Sequence, residues 1–200
     1  MRDLKNELEM AAQSLAEVRV PPAMRTVGIV LGGTLLAAIC AHIALPLYFT
    51  PVPLSLQPLA VLLLGLLLSP RLAGITMAAY LAEGAMGLPV FAPGVDSLAG
   101  VAHLFGPTGG YLLAYPAAAI LVSFLWRRGR RGLAAALLAA SAGDLLILGC
   151  GALWLTAWTH LTLASALALA VVPFLPGDAL KVAAVAGMAM ALVRVRRRAA

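Results

Sequence analysis

Apolar residues in this chain come in long runs, punctuated by short clusters of Pro, Gly and Arg. Six runs stand out, at 27–45, 56–68, 72–88, 111–126, 133–158 and 178–193. Three of them, 27–45, 72–88 and 133–158, are long enough to cross a bilayer as helix, which takes roughly 17–25 residues, and 111–126 and 178–193 fall just short. A seventh run, 161–172, is too short to cross alone and reads as an interfacial or re-entrant helix on the outer side. The first 22 residues differ: Leu4, Leu8, Ala11, Leu15 and Val18 recur at helical spacing among charged residues. No apolar core of a signal peptide is present there. The pattern predicts an amphipathic segment at 1–22, ended by Pro21 and Pro22, and a membrane domain at 23–200. The fold class is an all-α integral membrane protein of six transmembrane helices.

Composition supports this reading. The chain is 62% apolar and 11% charged, against about 25% charged in a soluble domain. Its net charge of +6 could suggest nucleic acid, but the charges sit at the ends of runs. Arg19 and Arg25, Arg71, Arg127–Arg131 and Arg194–Arg198 fall at alternate ends. With six spans, every Lys and Arg except Lys181 lies on one side, and the positive-inside rule makes that side the cytoplasm. Both termini are then cytoplasmic. Cys40 and Cys150 lie inside apolar runs and read as small buried hydrophobes.

Two irregular stretches gather on the outer side. One carries Pro46, Pro51, Pro53 and Pro58, with Thr50, Ser55 and Gln57 as polar positions. It reads as a stiff, extended loop. The other, 87–111, is rich in Gly and Pro. Its Gly-rich end lacks the lysine of a phosphate loop and follows no strand. Irregular backbone at a membrane persists where it lines a cavity, so an outward-facing pocket closed by loops is expected. Asp178 and Lys181 open the last run there, three residues apart and on one helical face. A lone charge in an apolar span costs roughly 2.5–3.5 kcal/mol on insertion scales. The two offset each other, together with a small ligand. Asp178 as an N-cap and Lys181 snorkelling to the surface are the plainer alternatives. Gln57, Thr50, Phe91 and Tyr111 supply an amide, a hydroxyl and aromatic surface nearby. Glu83 is either an interfacial carboxylate or a further ligand contact. Asp144 is expected to face the bundle interior with a polar partner. Ala37 and Ala41 form a small-xxx-small face, suited to packing within the bundle or to docking another membrane subunit. His42, His103 and His160 read as interfacial histidines. No catalytic set, metal-ligand spacing or nucleotide motif emerges, so an enzyme is not expected.

The chain also resembles a known family. The segments that carry the likeness are Ala41-His42-Ile43, Phe49-Thr50-Pro51-Val52-Pro53, Leu56-Gln57, Val61-Leu62-Leu63-Leu64-Gly65, Gly87-Leu88-Pro89-Val90-Phe91-Ala92, Gly106-Pro107-Thr108-Gly109-Gly110-Tyr111 and Pro173-Phe174-Leu175-Pro176-Gly177-Asp178 with Leu180-Lys181. In this order they are similar to BioY, the biotin-specific substrate-binding component of energy-coupling factor (ECF) transporters. The resemblance covers about 27–193. It implies high-affinity biotin capture and uptake in the cytoplasmic membrane of a prokaryote. It implies as partners a transmembrane coupling subunit and two cytosolic ATPases, which alone use ATP. No catalytic cofactor is implied. Asp178 and Lys181 match the family's acidic and basic pair, and Ala37 and Ala41 its docking face. Release is expected to follow tilting of the component in the bilayer. The loop 92–106, with Asp96, and Glu83 depart from the family pattern. The competing readings are the same architecture for another small vitamin, and a membrane-embedded enzyme using Asp144, Glu83 or His160.

Overall fold

Helix dominates a computed structural model of the chain, which describes Glu7, residues 21–93 and residues 98–198. The expected amphipathic pattern of Leu4, Leu8, Ala11, Leu15 and Val18, and Asp96, lie outside the described residues. The elements are α1 (Pro22–His42), β1 (Ala44–Leu45), β2 (Leu54–Ser55), α2 (Gln57–Leu67), α3 (Pro70–Ala85), α4 (Val101–Leu104), α5 (Gly109–Arg128), α6 (Leu133–Thr159), α7 (Leu163–Ala170) and α8 (Leu175–Arg198).

Local chemistry sets these boundaries. Pro occupies the first turn of α1, α2 and α3, where its missing N–H costs nothing and its φ suits a helix. Ser69 caps α3 by accepting from Leu72 N at 3.4 Å, and Thr162 caps α7 by accepting from Ser165 N at 3.3 Å. His160 ends α6 in the left-handed region, at φ 57°.

α2 forms the centre. It touches α1, α3, α5, α6 and α8, and Ala60, Val61, Leu62, Leu64, Gly65 and Leu66 are buried along it. A helix apolar all round belongs in the middle of a bundle. Close approach there needs glycine: a Cβ on Gly65 would stand 2.8 Å from Val122 Cβ of α5 and 3.0 Å from the Ala119 carbonyl. Gly143 of α6 meets the same valine, so three helices converge on Val122.

The outer surfaces remain apolar. Leu35 on α1, Leu113 and Ile120 on α5, Leu138 and Leu145 on α6, and Met188 on α8 are all exposed. Apolar groups inside and outside suit a lipid solvent. By length and hydropathy α1, α5 and α6 can each cross a membrane, and α7 with α8, bent by 54°, make a fourth candidate. α2 has 11 residues, about 16 Å at 1.5 Å per residue, well short of a bilayer core of about 30 Å. Its reach is completed by the segment before it. That segment is not simply extended: β1 and β2 pair antiparallel, with Ala44 opposite Ser55 and Leu45 opposite Leu54. Pro46, Pro51 and Pro53 occupy the loop between the strands, where no ladder N–H is needed.

Candidate functional site

The first turns of α8 place two charges inside the protein. Lys181 Nζ donates to Asp178 Oδ1 at 2.7 Å, with both side chains buried. It is the one ion pair among the described residues. Asp178 is not an N-cap, because α8 starts at Leu175 and the Asp178 N–H already donates to Phe174 O at 2.8 Å. Lys181 does not snorkel to the surface; only 6% of it is exposed.

Phe174, Asp178 and Lys181 follow each other at spacings of four and three and line one cavity. α6 adds Asp144, Ile147 and Leu148, and α5 adds Tyr111, Leu112 and Tyr115. Gln57 at the start of α2, Val52, Pro53 and Ser55 of the hairpin, Ala92 and His103 close it above. The space between atoms is about 550 Å³, including the open mouth. Most of this wall is hydrocarbon; its polar groups are few and converge.

Hydrogen bonds fix the loops over the cavity. Gln57 Nε2 donates to Tyr80 Oη at 2.7 Å, and Tyr80 Oη donates to Val90 O at 2.6 Å. This relay ties α2, α3 and the loop before α4. Tyr111 Oη donates to Ala170 O at 2.6 Å, holding the end of α7. Trp154 Nε1 donates to Gly106 O at 2.9 Å.

Of the residues singled out from sequence, Asp178, Lys181, Tyr111 and Gln57 line the cavity. Phe91 stands behind it, edge-on to Tyr80 at 5.5 Å and 5.1 Å from the His103 ring. Thr50 is buried within the hairpin loop, where its hydroxyl accepts from Val52 N at 3.4 Å, and it does not face the cavity. Glu83 is half-buried near the end of α3, also away from it. Ala37 and Ala41 are 0% exposed. They pack inside the bundle and are out of a partner's reach in this conformation. α1 instead leaves Gly28 and Gly32 open, with nothing within 4 Å of either Cβ position.

Sequence reasoning missed several lining residues. His103 is not interfacial but buried, with Nδ1 3.1 Å from Leu98 O. Tyr115 and Phe174 were not singled out as ligand contacts, yet both line the cavity. Asp144 faces the interior as expected, but its Oδ1 has no hydrogen-bond partner among the described residues. Together, an ion pair, a free carboxylate oxygen and a few amides and hydroxyls suit a small solute carrying donors and acceptors. No cluster of metal-ligating side chains occurs among the described residues.

A model of the BioY family matches residues 10–198. Biotin transporter BioY2 of Lactococcus lactis subsp. cremoris is 35% identical over 162 residues, spanning 81% of this chain and 86% of its own. Biotin transporter BioY of Thermotoga maritima is 33% identical over 162 residues, spanning 81% and 92%. Among solved structures, the S-component for biotin from an ECF-type ABC transporter superposes with a TM-score of 0.78 at 27% identity, covering 86% of this chain and 92% of the other.

Proposed function

The chain belongs to the BioY family, and from that premise we propose that it captures biotin for uptake across the membrane, as a transporter component and not an enzyme. The observation that carries this reading is the cavity with the buried Asp178–Lys181 pair in its wall. Biotin has a ureido ring with two N–H donors and one carbonyl acceptor, and a tail ending in a carboxylate. Asp178 accepts a ureido N–H. Lys181 donates either to the ureido oxygen or to the tail carboxylate. Charge-assisted bonds in a dry pocket are stronger than neutral ones. Tyr111, Tyr115 and Phe174 cover the sulfur-containing ring and the aliphatic tail.

Helices α1, α2, α3, α5, α6 and α8 are proposed to act as six membrane segments, with α2 and α3 as short ones. Helix direction then alternates, bringing Arg25, Arg71, Arg127–Arg131 and Arg194 to one end. That end is cytoplasmic by the positive-inside rule, and the cavity opens on the other side. The membrane is the cytoplasmic one of a prokaryote; bacterial and archaeal relatives favour this placement. Coupling to ATP is assigned to a transmembrane subunit and two cytosolic ATPases. The likeness to an S-component supports this assembly. The open side of α1 at Gly28 and Gly32 is the proposed docking face for the coupling subunit, since small residues let helix backbones approach closely. Mass spectrometry of ligand retained through purification in detergent tests the reading. Biotin at about one per chain is expected, and another vitamin in its place would overturn it.

A further inference from the structure

We propose that Asp144 is a third ligand-binding residue, accepting a hydrogen bond from a ring N–H of the bound ligand, and that the cavity therefore takes its ligand ring-first. The inference rests on the reading of this cavity as a biotin site. Three observations carry it. Asp144 is 6% exposed and its Oδ1 is without a partner. A buried acceptor left unsatisfied costs roughly 1–3 kcal/mol, more when charged, so the arrangement calls for a donor that the described residues do not supply. Asp144 also lines the same cavity as Asp178 and Lys181.

Counting charge then orients the ligand. With His103 neutral, the cavity wall carries Asp144 and Asp178 against Lys181 alone, and Lys181 is already held by Asp178 at 2.7 Å. No positive charge is left over there. A tail carboxylate pressed against these groups would put three carboxylates around one ammonium in a medium of low dielectric, where like charges repel strongly. A neutral ureido ring fits all three at once. One N–H goes to Asp178, the other to Asp144, and the carbonyl accepts from Lys181. The tail then points toward the mouth. This settles the choice left to Lys181: it holds the ring.

Calorimetric titration of the purified full-length protein in detergent tests the assignment. The ligands are biotin, biotin methyl ester and biotin methylated at either ring nitrogen. Asp144→Leu, which keeps the branched shape and removes the acceptor, is expected to weaken biotin about tenfold or more. It should also shrink the penalty that methylation of one ring nitrogen imposes on the wild type to below about threefold. The methyl ester should lose the same factor as biotin. Asp144→Asn, isosteric and neutral, is expected to lose about three- to tenfold and supplies the same comparison if the leucine variant does not fold. Unchanged biotin affinity overturns the proposal. So does weaker binding with an undiminished methylation penalty, the signature of a merely structural role. A wild type that binds no biotin refutes the underlying reading instead.

Discussion

Lys181 and Asp178 are each buried at the expense of hydration, and each justifies the other. Removing one leaves an uncompensated charge, a loss of roughly 3–5 kcal/mol where measured elsewhere, whereas replacing both is far milder. Lys181→Met alone should therefore lower the thermal unfolding midpoint more than Lys181→Met combined with Asp178→Leu. Equal midpoints would show the pair to be solvated. This pair was legible in the sequence, because a spacing of three on a helix leaves little freedom. Thr50, Glu83 and Phe91 were not, since they sit in a loop or near a helix end, where sequence position does not fix the direction of a side chain. Thr50 faces its own loop, and Phe91 wedges between Tyr80 and His103. Asp144 was legible as an inward residue; that it shares a wall with Lys181 depends on how α6 packs on α8.

At the scale of elements, the long runs translated directly into helices, with starts marked by Pro22, Pro58 and Pro70. The hairpin did not, because two-residue strands carry no periodic signal. Packing among the helices gives sharper tests. Gly65→Ala places a methyl against Val122 and the Ala119 carbonyl, and is expected to cost about 1–3 kcal/mol. Val122→Ala should recover part of that loss in a thermal melt of the double variant. No recovery would leave the Val122 Cβ and the Ala119 carbonyl, which this change does not remove, as the obstacle. On α1, Ala37→Trp should destabilise the protein by overpacking, since Ala37 is fully enclosed. Gly32→Trp faces open space. It should leave biotin binding intact and reduce co-purification of the coupling subunit. Normal assembly of the Gly32→Trp variant would remove this side of α1 as the docking face.

For the whole molecule, the arginines carried more information than the apolar runs. Span length alone gives three or four crossings, whereas six helices with charges at alternate ends give one consistent orientation. In intact cells a membrane-impermeant maleimide should label a cysteine placed at Tyr48, which is fully exposed, and spare one placed at Arg130. The reverse pattern would invert the topology, and labelling of both would break it. The account stands most directly on equilibrium titration of biotin into purified wild-type, Lys181→Ala and Asp178→Asn proteins. One biotin per chain is expected in the wild type, with affinity at least about tenfold weaker in each variant, equivalent to about 1.4 kcal/mol. Equal affinity in all three folded proteins would contradict it.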